Sequence, residues 1–122
     1  MKVESEKPKF IITWNKTCTP CKKAIEDLKS SFSKNHNFDY YLINIPFKKN
    51  DFEISEIESI LNKNINNVYI LNDKNNHFVN DLKIYSVPTF LVLDQSNNIT
   101  YYKTGYNSSD KNKLIAQLNK QN

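Results

Sequence analysis

Cys18 and Cys21 are the only cysteines of the chain, with Thr19 and Pro20 between them. An apolar run, Phe10-Ile11-Ile12, leads up to the pair, and a helical pattern with Cys21, Ile25, Leu28 and Phe32 on one face follows it. The cysteines therefore fall at a strand-to-helix junction. A thiol in the first turn of a helix meets unpaired backbone N–H groups and the positive end of the helix dipole, which favours thiolate over thiol. The thiolate is the nucleophile in thiol–disulfide exchange, so the placement assigns attack to Cys18 and resolution to Cys21. A Cys-X-X-Cys beside alternating strands and helices is a redox signature. Pro20 suits a first helical turn and stiffens the segment between the cysteines. Other uses of the pair are weaker. Zinc needs four ligands, and only His36 and His77 remain, at unsuitable spacing. A disulfide across two residues closes almost no loop and stabilises little. Both histidines lie among asparagines and read as surface residues, so neither metal nor cofactor is expected.

Residues 1–8 form a polar lead-in, and 9–14 a first strand whose unbroken apolar run implies burial on both faces. The helix carrying the cysteines runs from Thr19 to Lys34 and is ended by Asn35-His36-Asn37. Phe38 to Ile45 is a second, central strand, followed by a loop from Pro46 to Asn50. Phe52, Ile54, Ile57, Ile60 and Leu61 recur at helical spacing through Asn62, with Asp51 as the N-cap. Val68 to Leu71 is a short strand, and His77 to Tyr85 a short helix bearing Phe78, Leu82 and Tyr85. Val87-Pro88-Thr89 leads into the buried strand Phe90–Leu93. Asp94 to Asn98 has hairpin-turn composition, and Ile99 to Lys103 is the paired strand. Gly105, the one glycine, marks a positive φ or a close approach. Ser108, Ser109 and Asp110 can cap a last helix whose apolar face is Leu114, Ile115 and Leu118. The order β-α-β-α-β-α-β-β-α predicts an α/β three-layer domain with a central mixed sheet flanked by helices.

The 122 residues suffice for one core and are too few for two. The formal charge of +4 rests on 17 basic residues, all of them lysine. The lysines are scattered, which argues for a solvated surface and against a nucleic-acid partner. The absence of arginine removes bidentate recognition of phosphate or carboxylate. No apolar run approaches the ~18 residues of a membrane span, so no transmembrane segment is expected. The polar start is no signal peptide, and Met1 is either a true start or stands where a leader has been removed. Asn15-Lys16-Thr17, Asn98-Ile99-Thr100 and Asn107-Ser108-Ser109 are glycosylation triplets expected by chance among nineteen asparagines. A glycan on Asn15 would crowd Cys18.

Trp14, Cys18-Thr19-Pro20-Cys21-Lys22, Val87-Pro88-Thr89-Phe90 and Gly105 together resemble the thioredoxin-like superfamily, over nearly the whole chain from Phe10 onward. The resemblance implies that Pro88 is cis and stands beside the cysteine pair, and that the backbone of Val87 pairs with an extended substrate strand. Forty-three residues separate Asn44 from Pro88, where ordinary thioredoxins have a brief link. An αβ insertion over residues 51–71, the lack of a leading strand-helix unit and the Asp94–Ile99 hairpin resemble the TlpA/ResA-type thiol:disulfide oxidoreductases. That branch implies an enzyme that reduces protein disulfides through a mixed disulfide, fed by an upstream thiol electron donor. It implies substrate contacts from Trp14, Thr17, Thr19, Pro20, Val87 and Pro88. It also implies a monomer in the bacterial cell envelope or periplasm, with the cytoplasm as the alternative. Trp14 serves such a site either as a contact or as core. Thr89 opens a strand and reads as structural.

The chain departs from the pattern at three places. Ile12 stands where ordinary thioredoxins bury an acid, Ala24 where TlpA/ResA-type proteins often carry glutamate, and Thr17 where tryptophan is common. Water, or Glu26, would then have to move the proton of the resolving cysteine. Peroxidase chemistry of the peroxiredoxin kind is disfavoured by the absence of arginine, and a DsbA-type oxidase by the lack of room for its helical insertion. The rival readings are a redox-regulated peptide-binding module and a general cytosolic thioredoxin.

Overall fold

Every residue of the strand from Lys9 to Trp14, here β1, is buried. The cause is its place in the computed structural model, which describes residues 6–48, 52–62, 65–84 and 86–120. β1 is the middle strand of a five-stranded sheet of order β3-β2-β1-β4-β5. It pairs in parallel with β2 (Asp39–Asn44), which pairs in parallel with β3 (Val68–Asn72). On its other edge it runs antiparallel to β4 (Thr89–Leu93), which forms a hairpin with β5 (Ile99–Thr104). The helices are α1 (Thr19–Lys34), α2 (Ser55–Leu61), α3 (His77–Leu82) and α4 (Lys111–Lys120).

The period-two alternation of strand side chains divides the apolar residues between two cores. Phe10, Ile12, Trp14, Tyr40, Leu42, Phe90 and Val92 face α1, α2 and α4. Ile11, Ile43, Leu91 and Leu93 face Phe78 and Val79 of α3, together with Ile45 and Ile84. Strands covered on both faces lose the polar alternation of an exposed sheet, which is why β1, β2 and β4 read as near-continuous apolar runs. The result is the mixed sheet flanked by helices that the element order predicts. Lys22 of α1 pairs with Glu56 of α2 at 2.7 Å, and Lys29 Nζ donates to Ile60 O at 3.0 Å, so α2 is tied to the helix that carries the cysteines. Among the described residues no helix is long and apolar enough to cross a membrane.

Three helix ends differ from expectation, each for a local reason. The second helix starts at Ser55, and Asp51 lies outside the described residues. Ile54 is its N-cap and offers no side-chain cap bond, while Glu53 Oε1 accepts the Ser55 N–H at 2.8 Å. The third helix stops at Leu82 because Lys83 turns left-handed (φ 56°), and Val79 O accepts the N–H groups of both Lys83 and Ile84. Tyr85 lies outside the described residues. The last helix is entered through a 3-10 turn, Ser108–Asp110, capped by Asn107. Asn107 Oδ1 accepts the Ser109 N–H at 3.0 Å and Asp110 Oδ2 accepts the Asn107 N–H at 2.9 Å, a reciprocal capping box. Ile115 is only half-buried, beside buried Leu114 and Leu118. Gly105 has φ +77° and open space around the place of a Cβ, so conformation and not crowding requires glycine there.

The capping box gives the fold an acid-sensitive joint. The hydrogen bond from Asn107 N–H, helped by Lys103 Nζ at 3.4 Å, outweighs burial and holds the Asp110 carboxyl below its ordinary value. Asp94 is lowered likewise, chiefly by the Asn98 N–H, which with that of Ser96 outweighs the opposing effect of burial. A carboxyl whose pKa is lower folded than unfolded contributes stability above its unfolded pKa and loses it as pH falls through the folded one. Stability should therefore drop below about pH 4. Urea denaturation between pH 7 and pH 3 should show Asp110→Asn less stable at pH 7 and less sensitive to acid than the wild type.

Candidate active site

The chain leaving β1 must turn while still covered, and Asn15 makes the turn. It is fully buried. Its Nδ2 donates to Ile45 O at 2.8 Å, and its Oδ1 accepts both the N–H (3.1 Å) and the hydroxyl (2.8 Å) of Thr17. Its backbone O accepts the Cys18 N–H at 2.9 Å. One amide thus binds the end of β2 to the loop that delivers Cys18.

Cys18 is the N-cap of α1, with extended φ −93° and ψ 97°. Its Sγ accepts the Cys21 N–H at 3.2 Å, the place a serine or aspartate oxygen takes at most helix starts. α1 has no acidic residue in its first turn, so no carboxylate there offsets the positive end of the helix at the sulfur. Cys18 is partly exposed and Cys21 fully buried. The two form a disulfide with Cα atoms 5.3 Å apart. Thr17, Thr19 and Pro20 are exposed around Cys18, with Pro20 in the first turn of α1.

The second wall is set by β4. The β1–β4 ladder reaches Ile12 opposite Phe90, and Thr13 carries it one step further, its Oγ1 accepting the Thr89 N–H at 2.8 Å. The segment entering β4 is thereby held alongside the segment leaving β1. The Val87–Pro88 peptide is cis. Pro88 is buried, with its O accepting the Gly105 N–H at 2.8 Å, while Val87 is half-buried and touches both cores. Beside it an open cavity of about 290 Å³ is lined by Ile45, Pro46, Phe47, Val79, Ile84 and Val87, among others.

Trp14 takes the core position of its two alternatives. It is 1% exposed, shares a cluster with Cys21, and its ring lies 6.4 Å from that of Phe52. Ile12 and Ala24 are fully buried within the same cluster. Glu26 is exposed and paired with Lys29 at 3.1 Å, on the face of α1 away from the buried sulfur, so it is corrected as a proton acceptor for Cys21. His36 and His77 are exposed. Thr13 and Asn15 are the positioning residues that sequence reasoning missed. The signal available was a polar residue closing a buried apolar strand, which must find partners inside the protein.

The redoxin family model matches residues 2–118 of the chain. No curated protein matches. Solved structures similar to it include the exposed lipoprotein thioredoxin Etrx1 of Streptococcus pneumoniae, 14% identical, covering 94% of this chain and 85% of that one with a TM-score of 0.71. A secreted disulfide oxidoreductase of Mycobacterium tuberculosis is 15% identical, covering 95% and 83% with a TM-score of 0.71. StoA of Bacillus subtilis is 17% identical, covering 93% and 84% with a TM-score of 0.68. At such identities the likeness bears on the fold, which is thioredoxin-like.

Asn15→Ala should leave Ile45 O and the Thr17 groups without their partner. Urea denaturation of the oxidised protein should show a loss of about 1–3 kcal/mol, the cost of an unsatisfied buried group.

Proposed function

The chain belongs to the redoxin family, and we propose that it is a reductase of protein disulfides that uses Cys18 and Cys21 as its redox pair. The observation that carries this reading is the unequal setting of the two sulfurs. Cys18 is partly exposed and its Sγ accepts a backbone N–H at a helix start, whereas Cys21 is fully buried in the core. In the reduced protein the Cys18 thiolate attacks a substrate disulfide. A bond forms between Cys18 Sγ and one substrate sulfur, and the other leaves as a thiolate. Cys21 then attacks Cys18 Sγ, releasing the second substrate thiol and closing the Cys18–Cys21 disulfide. An upstream thiol donor returns the two electrons by the same steps in reverse.

In this reading an extended substrate segment lies against the Val87 backbone, in front of Pro88, with Thr17, Thr19 and Pro20 around the sulfur. The cavity beside Val87 offers an apolar side chain of the substrate somewhere to go. Trp14 supports the cysteines from beneath and does not meet substrate. The insertion over 51–71 within a single domain from residue 9 to 122 favours the TlpA/ResA-like branch, and with it the reducing direction. We place it as a monomer in the bacterial cell envelope, and that location agrees with the similar structures described as an exposed lipoprotein and a secreted protein.

Catalysis of insulin reduction by dithiothreitol tests the reading. Cys18→Ser should abolish it, and Cys21→Ser should accumulate a mixed disulfide visible by mass spectrometry. Wild-type protein without turnover would point to a peptide-binding module. Equilibration against thiol buffers should give a potential near that of thioredoxin, about −270 mV; a value near that of DsbA, about −120 mV, would reverse the direction of electron flow.

A further inference from the structure

Resolution of the mixed disulfide leaves one proton to be placed. Cys21 must lose it to attack Cys18, yet the thiol is fully buried in an apolar cluster with Trp14, Ala24, Ile25 and Leu28. A bare thiolate there is costly. Among the described residues that cluster holds no carboxylate, for Ile12 and Ala24 are apolar and Glu26 faces outward to Lys29.

The same face of the sheet carries two buried polar atoms that have no hydrogen-bond partner among the described residues, Trp14 Nε1 and Asn44 Oδ1. Trp14 is 1% exposed and Asn44 fully buried. They are register partners at the ends of the parallel strands β1 and β2, so their side chains are neighbours. Strand alternation puts Asn44 in line with Tyr40 and Leu42, on the side where α1 begins. Asn44 Nδ2 donates to Asn72 Oδ1 at 2.8 Å on β3, the neighbour of β2 on the side away from β1. The third buried unpartnered atom, Asn67 Oδ1, belongs to the opposite end of the sheet, where Asn67 Nδ2 donates to Phe38 O. A free donor beside a free acceptor, at the carboxyl ends of parallel strands, is the setting of a bound polar molecule. Water fits the pair: its oxygen accepts from the indole N–H, one hydrogen goes to the amide oxygen, and a lone pair remains.

We propose that Trp14 Nε1–H and Asn44 Oδ1 bind a buried water that takes the proton of Cys21 when the mixed disulfide resolves. The proposal rests on the exchange reaction above and deepens it. As the Cys21 sulfur bonds to Cys18 Sγ, its proton passes to the water. One of the water's own protons is released towards solvent and is taken up by the departing substrate thiolate. The bond from Cys18 to the substrate sulfur breaks with its electron pair on the substrate. The products are the Cys18–Cys21 disulfide, a substrate thiol and the same water, with no outside oxidant. Trp14 and Asn44 are positioning residues in this step.

Reaction of the reduced protein with dithiobis(nitrobenzoate) separates the two steps, since attack by Cys18 releases one coloured thiolate and resolution by Cys21 the second. Trp14→Phe removes the donor, Asn44→Leu removes the acceptor, and Asn44→Asp keeps one. The second phase should slow at least tenfold relative to the first in Trp14→Phe and Asn44→Leu, and should be no slower than in the wild type in Asn44→Asp. A packing role would rank Leu no worse than Asp, and an unchanged ratio in Trp14→Phe and Asn44→Leu would overturn the proposal. Absence of the first phase in the wild type would instead remove the exchange reaction itself. A second readout needs no variant. Trp14 is the only tryptophan, so its indole N–H gives a single proton resonance. That resonance should show cross-relaxation with a long-lived water in the wild-type protein, and its absence would also sink the proposal.

Discussion

The redox centre depends on how β1 ends. A strand covered on both faces and paired on both edges cannot hand its last backbone groups to solvent, so the turn that follows must satisfy them from within. Thr13 reaches sideways to the start of β4, and Asn15 reaches to the end of β2 and back to its own loop. These two polar side chains fix where Cys18 emerges and where the Val87–Pro88 segment passes it. The cysteines supply the reactivity, and the frame that orients them is made by a threonine and an asparagine.

The interior beneath the site is less polar than its chemistry suggests. Ile12 and Leu42 face one another across the β1–β2 pair, and both are fully buried. An apolar floor stabilises the fold at about 25 cal/mol per Å² of surface removed from water. Among the described residues, Ile12, Ala24 and Leu42 of this floor offer no charged group with which Cys21 could exchange a proton. Stability and proton transfer compete for the same few positions, and this chain has filled them with methyl groups.

Much of this was legible in the sequence because it follows from period and chemistry. The bounds of α1 and the burial of β1 on both faces rest on local patterns that tertiary contacts reinforce. The starts of α2 and α4 were not legible, since Glu53 and Asn107 competed with equally plausible caps and only the folded loops select between them. Composition also hid a device. With one glycine available, four of the five non-glycine residues of positive φ among those described are asparagines: Asn62, Asn75, Asn76 and Asn97. Asparagine tolerates the left-handed region better than other side chains, so part of the asparagine surplus does the turn-making that glycine does elsewhere.

The sulfur that caps α1 is also the atom to which the proposed exchange assigns the attack. A thiolate accepts the Cys21 N–H as a charge-assisted bond, whereas a disulfide sulfur, in the resting pair or in a mixed disulfide, is a weak neutral acceptor. The cap bond would therefore be strongest when Cys18 is a thiolate and weaker when it is bonded to another sulfur, as it is in the Cys18–Cys21 disulfide. In such an exchange the bond that caps α1, beneath the exposed Thr19 and Pro20, would change strength with each pair of electrons.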